Sequence, residues 1–184
     1  MASNSKAAEA TPAVTAEDEE WMDGAKAAFP SIENLAPAVP PAFGAGRLVA
    51  IYARENGVGK GDNGPYPYVE TVTLVLDNGP DGDQSDDLVP AVDKDPIRLD
   101  LRHSTTGLVA RLKPRVGTPK GNRPLVGRIN TQASSRNKNV AAFSISEPTE
   151  ADMTVARAHK AYILKVNAEM DAAATKNEDE QAFG

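Results

Sequence analysis

The chain contains no cysteine, few aromatic residues and no long hydrophobic run. The missing cysteine excludes disulfide bonds, thiolate metal sites and cysteine nucleophiles. Aromatic side chains make up only 5% of the 184 residues, so a core must consist mainly of Val, Leu and Ile. The longest apolar run, Leu48 to Ala53, is too short to cross a bilayer, and the N-terminus lacks the features of a signal peptide. We therefore expect a cytoplasmic protein that does not associate with membranes.

Acidic residues are absent from one long stretch in the middle of the chain. Residues 102–146 contain nine Lys or Arg and no Asp or Glu. The flanks show the opposite balance: residues 1–46 contain two basic and seven acidic side chains, and residues 147–184 contain four basic and eight acidic ones. A net charge of −6 therefore hides a cationic middle. Such a stretch indicates a polyanionic partner, although a solvated surface with uneven charge has the same composition.

The flanks differ from the middle in pattern as well as in charge. Residues 1–45 are acidic and contain several prolines, which predicts a disordered or extended arm. Within it, we expect residues 1–20 to be disordered, and residues 21–29 to form a short helix or a docking segment. Apolar residues at helical spacing predict a helix over residues 147–175, with a capping box formed by Thr149 and Asp152. An acidic tail, residues 176–184, follows.

Residues 46–146 read as a mainly β domain. Five predicted strands and one short helix follow in the order strand, strand, strand, helix, strand, strand. That is the order of an OB-fold, a five-stranded Greek-key barrel that binds oligonucleotides; an SH3-like barrel or a small sandwich is the alternative. Two predicted loops, Glu55–Pro65 and Thr131–Asn139, would close over the bound strand. The predicted elements are the strands 47–54, 66–77, 97–102, 125–130 and 140–146 and the helix 104–113.

Three short motifs add a resemblance. They are KPRVG at 113–117, PLVGRI at 124–129 and AAFSISEPTEADMTVA at 141–156. With them, roughly residues 43–165 resemble small single-stranded-DNA-binding proteins of actinobacterial phages, which have an OB-fold. The resemblance implies a phage protein that coats and protects single-stranded DNA in replication or recombination, without strong sequence preference. The loop after the fourth predicted strand lacks the proline and tryptophan of that family, so no aromatic clamp is expected there.

Binding of single strands requires cations for the backbone and aromatic faces for the bases. Tyr66 and Tyr68 are two residues apart on a predicted strand, so we expect them to share a face and to stack on bases. Arg128 should face outward because Ile129 is predicted core, whereas Phe143 and the two histidines read as structural. The expected cationic contacts are Arg54, Lys60, Arg98, Arg102, Arg111, Lys113, Arg128, Arg136 and Lys138.

The acidic tail suggests a second kind of contact. Glu178, Asp179 and Glu180 precede Phe183, and this tip is similar to the one with which bacterial single-strand-binding proteins recruit partner enzymes. Replication or recombination proteins are therefore expected partners, together with further copies of the chain in a homo-oligomer. An alternative function is that of a virion structural protein, in capsid decoration or head completion, which the proline-containing arm would suit.

No motif predicts catalysis or a bound cofactor. The segment GVGKGDNG lacks the GK[ST] ending of a phosphate-binding P-loop. The acidic loop 77–87 lacks the ligand spacing of a calcium loop. With two histidines and no cysteine, we expect neither an enzyme nor a metal site.

Overall fold

The computed structural model describes residues 13–24, 46–77, 95–104, 106–133 and 141–182. In this part of the chain, six strands form one mixed sheet, accompanied by three α-helices. The strands are β1 (Asp23–Gly24), β2 (Leu48–Gly61), β3 (Gly64–Val75), β4 (Ile97–His103), β5 (Leu125–Ala133) and β6 (Ala141–Ser146). The helices are α1 (Thr106–Leu112), α2 (Glu150–Ala158) and α3 (Lys160–Ala182), and short 3-10 turns cover Asp18–Glu20, Lys113–Arg115 and Pro119–Asn122.

The strands are connected as a meander with a crossover. β2, β3 and β4 form consecutive antiparallel pairs, and β5 pairs antiparallel with both β2 and β6. The two-residue β1 adds a parallel partner to β5. All five predicted strands and the short helix are therefore present in the expected order. Among the described strands β4 and β6 do not pair, so the sheet stays open and no closed barrel forms.

The sheet is buried on both faces where β2 begins. Leu48, Ala50 and Tyr52 point to one side, which we call the helix face because Met153, Ala156, Ile163 and Val166 of α2 and α3 cover it. Val49, Ile51 and Ala53 point to the other side, which α1 covers with Leu108, Val109 and Leu112. A strand buried on both faces has no polar alternation, which explains the continuous apolar run that begins at Leu48.

The C-terminal segment forms two helices, whereas one was predicted. The capping box is confirmed: Asp152 N–H donates to Thr149 Oγ1, and Thr149 N–H donates to Asp152 Oδ2. The helix breaks at His159, which has non-helical dihedral angles, and restarts at Lys160. The predicted end near residue 175 is wrong, since α3 continues to Ala182. Residues 171–182 contain four Ala and two Glu, whose high helix propensity accounts for the extension.

The N-terminal segment, residues 13–24, is docked on the helix face. Trp21 and Met22 are almost fully buried there, and Asn167 Nδ2 donates to the Trp21 carbonyl at 2.9 Å. Arg157 Nη2 donates to Asp18 Oδ2 at 2.8 Å, and this bond lowers the pKa of the Asp18 carboxyl to about 2. The expected disorder of residues 1–20 is therefore wrong for residues 13–20. Of the helix or docking segment expected at residues 21–29, Trp21 and Met22 are docked on the helix face, and residues 25–29 lie outside the described residues. The acidic composition was misleading because Asp18 and Glu17 have cationic partners on α2 and α3.

The first predicted loop, Glu55–Pro65, is also wrong. β2 continues through it to Gly61, and β3 begins at Gly64 after a two-residue turn. The two strands extend beyond their neighbours as a hairpin arm, which we define as Arg54–Glu70 and whose residues are mostly exposed. Its glycines pair with the tyrosines of the opposite strand, which lets a sequence that resembles a loop form a strand. The second predicted loop, Thr131–Asn139, is wrong for residues 131–133, which belong to β5, and residues 134–139 lie outside the described residues.

Candidate nucleic-acid interface

Two tyrosine rings lie side by side on one face of the hairpin arm. Tyr66 and Tyr68 pair with Gly59 and Gly57 respectively, and their ring centroids are 6.5 Å apart with planes tilted by 54°. A Cβ atom at Gly57 would lie 2.1 Å from Tyr68 Cζ, and one at Gly59 would lie 2.4 Å from Tyr66 Cζ. The rings therefore cover the two glycines, an arrangement that only glycine permits. We call this surface (Tyr66 and Tyr68) the tyrosine face, and it confirms that the two side chains point to the same side.

Arg102 of β4 lies beside the tyrosine face. Its guanidinium carbon is 4.2 Å from the Tyr68 ring centroid, a cation–π distance. Its Nη2 donates to Glu70 Oε1 at 2.7 Å, and this hydrogen bond raises the pKa of the arginine. An aromatic surface and a cation thus stand together, as base stacking and phosphate binding require.

A shallow depression continues from the tyrosine face toward β2. Arg54, Glu70, Asp100 and Arg102 line this space of about 210 Å³. Arg54 Nη1 lies 3.9 Å from Asp100 Oδ1, and more than half of each side chain is exposed. Exposed ion pairs of this kind contribute roughly 0–1 kcal/mol, so a phosphate can replace either carboxylate at small cost.

Arg98 belongs to a different environment. Its Nη1 donates to Glu169 Oε2 of α3 at 2.7 Å. The bond raises the pKa of Arg98 and lowers that of Glu169. The expected open surface along β4 is therefore limited to its end near Arg102, because α3 crosses the same face at Arg98.

Arg128 contradicts the expectation that it faces outward to bind a polyanion. Its Nε donates to Asp152 Oδ1 at 2.7 Å, its Nη2 donates to Asp77 Oδ2 at 2.8 Å, and its Nη1 donates to the Gly46 carbonyl. Burial alone would lower the pKa of Arg128, but the hydrogen bonds to the two carboxylates outweigh burial and raise it. The guanidinium charge of Arg128 is therefore paired with carboxylates of the protein itself. Because both faces of the sheet are covered, a residue next to a buried one, as Arg128 is next to Ile129, does not have to face solvent.

Arg111, Lys113 and Arg115 do not form one extended cationic row. The segment is helical to Leu112 and continues as a 3-10 turn, so it lacks the alternation of an extended chain that would place all three side chains on one side. Burial lowers the pKa of the half-buried Arg111. Arg115 is buried and donates to Asp23 Oδ2 at 2.7 Å, while Lys113 is exposed. Of the two proposed contacts in this segment, Lys113 alone is fully exposed to solvent, and it lies in the 3-10 turn after α1, away from the tyrosine face.

The acidic ends of the chain neutralise much of its basic middle. Cations of the acid-free stretch bind carboxylates that lie far away in sequence, in the N-terminal segment and in α2 and α3. The pairs are Arg115 with Asp23, Arg123 with Asp171, and Arg128 with Asp152. The charge asymmetry of the sequence is therefore in part an internal complementarity, and fewer cations remain for a polyanion than the stretch contains.

Other predicted site residues are placed only in part. Lys60 pairs with Pro65 near the tip of the hairpin arm, on the side opposite the tyrosine face. Arg136, Lys138 and Phe183 lie outside the described residues. The backbone of residues 178–180 belongs to α3, but the side chains of Glu178, Asp179 and Glu180 lie outside the description, as does that of Phe143.

Sequence reasoning missed two residues of the site. Gly57 and Gly59 shape the tyrosine face, and the matching alternation of GVGKG with YPY was the signal that could have revealed them. Tyr52 is buried and donates to Asn167 Oδ1 at 2.8 Å, so it cannot stack on a base. His103 is also buried, which lowers its pKa to about 4 and agrees with a structural role.

Comparisons with protein-family profiles, curated proteins and solved structures find no match to this chain. The resemblance to phage single-stranded-DNA-binding proteins therefore stays a hypothesis. Among the described residues, no helix is long and apolar enough to cross a membrane. Within the same residues, no three His, Asp or Glu side chains are grouped so that they could hold a metal ion.

Proposed function

We propose that this protein binds single-stranded DNA and coats it during phage replication or recombination. The observation that carries the proposal is the tyrosine face with Arg102 beside it. Stacking on an aromatic ring contributes about 1–3 kcal/mol per base and tolerates any sequence. Two rings 6.5 Å apart, with a guanidinium 4.2 Å from one of them, suit neighbouring bases and the phosphate between them.

We further propose that β2 to β6 with α1 are an open form of the OB-fold. The antiparallel meander β2–β3–β4, the β2–β5 and β5–β6 pairs, and a helix between the third and fourth of these strands support it. In that fold, the face of the second and third strands binds oligonucleotides. Here those strands are β3 and β4, which carry the tyrosines and Arg102.

The direct test is a titration of fluorescently labelled oligo-dT, followed by anisotropy at low and at moderate salt. We expect affinity to fall as salt rises, because bound phosphates release counterions. Tyr66→Ala and Tyr68→Ala should each weaken binding roughly 10-fold, the size of one lost stacking contact. Tyr66→Phe and Tyr68→Phe are the matched controls and should retain it. Affinity that ignores salt, or alanine variants that bind like the wild type, would refute the proposal.

Charge reversal on two sides of the molecule separates this face from the rest of the basic stretch. Arg102→Glu places an anion beside the rings and should reduce affinity at least 10-fold at low salt. Lys113→Glu makes the same change of charge in the 3-10 turn after α1 and should have a small effect. A larger loss in the Lys113 variant would move the interface to the α1 side.

A virion structural protein is the second candidate, favoured by the hairpin arm, whose exposed strands extend beyond the sheet. Quantitative mass spectrometry of purified particles distinguishes the two functions. Many copies per particle would support the virion component, and absence from particles would support the DNA-binding protein.

A further inference from the structure

The two edges of the hairpin arm have different hydrogen-bonding capacity. β5 covers the edge of β2 only at Leu48–Ile51, and β4 covers the edge of β3 only at Val69–Val75. Beyond these points, no described strand pairs with either edge. Unpaired edges are templates for further strands, and proteins block them where pairing is harmful.

Proline blocks one of the two edges. Gly61 and Gly64 close the two-residue turn, so the pairs further along the arm alternate between hydrogen-bonded and non-hydrogen-bonded positions. Pro65 and Pro67 fall on non-hydrogen-bonded positions, where the backbone nitrogen points outward. The outer edge of β3 therefore lacks donors at both residues.

The edge of β2 has no such block. Asn56, Val58 and Lys60 pair with Val69, Pro67 and Pro65, so their own N–H and C=O groups point outward. None of the three is proline, and Val58 has 71% of its surface exposed. This is a complete strand edge with an exposed β-branched residue at its centre.

We propose that the β2 edge of the hairpin arm pairs antiparallel with the same edge of a second copy of this chain. A twofold axis at Val58 places it opposite Val58 of the second copy. Asn56 and Lys60 then face each other in both directions, so three residues of each chain exchange backbone hydrogen bonds. A twofold pairing of this kind closes on itself. The proline-blocked β3 edges face outward, which stops growth at two copies.

The charges of the arm fit this register. Lys60 lies opposite the neutral Asn56 and Glu55 opposite Gly61, so no like charges are directly opposed. Asp62, in the turn, falls toward the end of the other copy's arm that carries Arg54 at the bulge between Ala53 and Glu55. Opposite charges stabilise strand pairs, whereas like charges destabilise them. The same geometry brings the tyrosine faces of both copies to one side of a four-stranded sheet. Only that last consequence depends on the proposed DNA binding; the pairing itself does not.

Disulfide trapping without nucleic acid tests the register. The chain has no cysteine, so a single introduced thiol can form a protein–protein disulfide only with its counterpart in another copy. The thiol first exchanges with oxidised glutathione, and the thiol of the second copy then displaces reduced glutathione from the mixed disulfide. Directly opposed residues of a hydrogen-bonded antiparallel pair have Cα atoms about 5.5 Å apart, which suits a disulfide. With oxidised glutathione as oxidant, Val58→Cys should form covalent dimers at least 10-fold faster than Leu164→Cys, an exposed control on α3. Equal rates would overturn the proposal.

Sedimentation equilibrium from about 1 µM to about 1 mM tests whether the edge is responsible, since small interfaces bind weakly. The wild type should show a monomer–dimer equilibrium. Val58→Pro removes the central outward donor, as Pro65 and Pro67 do on β3, and should weaken the dimer roughly 10-fold or more. Val58→Thr keeps the donor and should dimerise normally, and circular dichroism checks that all variants fold. A wild type that stays monomeric, or a dimer that survives Val58→Pro, would overturn the proposal.

Discussion

Replacing Arg128 by methionine decides whether this arginine serves the fold or a ligand. Methionine retains the length and the apolar stem of the side chain and removes its charge. The guanidinium lies between Asp152, whose side chain is 2% exposed, and Asp77, which is 22% exposed. Thr149 N–H continues to donate to Asp152, and Leu48 N–H continues to donate to Asp77. Each carboxylate would nevertheless lose its ion pair with the Arg128 guanidinium.

The expected cost follows from these contacts. Removing one partner of a buried ion pair destabilises a protein by about 3–5 kcal/mol. The remaining N–H donors and the partial exposure of Asp77 reduce this value, so we expect a loss of about 3 kcal/mol in the free energy of unfolding for Arg128→Met. Arg54→Met is the matched control. Its pair with Asp100 is exposed and 3.9 Å long, and the loss should be less than about 1 kcal/mol.

Urea unfolding at neutral pH, followed by circular dichroism, measures both losses. Oligo-dT titrations under conditions where each variant is fully folded complete the comparison. The reasoning would be refuted if Arg128→Met were as stable as the wild type and at the same time lost its affinity for DNA. That result would make Arg128 a ligand contact, as the sequence alone suggests.

Three further variants test other parts of the structure. Burial lowers the pKa of His103 to about 4, whereas an unfolded histidine has a pKa of about 6.5, so the unfolded state binds more protons between these two pH values. The free energy of unfolding of the wild type should therefore fall by up to about 3 kcal/mol as the pH drops from 6.5 to 4. In urea titrations, His103→Leu should show a smaller dependence of this free energy on pH. Trp21→Ala should lower the free energy of unfolding by about 3–5 kcal/mol, measured by thermal or urea unfolding, because the side chain is 1% exposed. Gly57→Ala should displace the Tyr68 ring and reduce oligo-dT affinity by as much as Tyr68→Ala, and unchanged affinity would contradict the proposed role of the ring.

The alternation of apolar and polar residues correctly predicted those elements that have one buried and one exposed face. In β4, Arg98, Asp100 and Arg102 are exposed and the residues between them are half-buried, as the alternation indicates. The hairpin arm was missed because Gly57 and Gly59 read as loop residues until the tyrosines opposite them are known. The pattern within one strand does not show which residues of another strand pair with it.

The acid-free stretch of residues 102–146 was a misleading indication of a polyanionic partner for a related reason. An acid-free run predicts a polyanion only if its cations lack partners in the same chain. Arg115 and Asp23 are far apart in sequence but 2.7 Å apart in the fold, as are Arg123 and Asp171 at 3.2 Å. Composition cannot distinguish a cation that is free to bind DNA from one that is paired with a carboxylate distant in sequence. The tyrosine pair was predictable because its two members are close in sequence.

The docking of both chain ends on the helix face has a consequence for biosynthesis. Because synthesis proceeds from the N-terminus, β2 to β6 leave the ribosome before α2 and α3 do, so one side of the sheet meets solvent or a chaperone in the meantime. During that interval, Leu48, Ala50 and Tyr52 lack the helices that bury them. The helices that follow β6 thus complete the core that the earlier strands begin, and a stop codon after residue 146 would leave an aggregation-prone sheet.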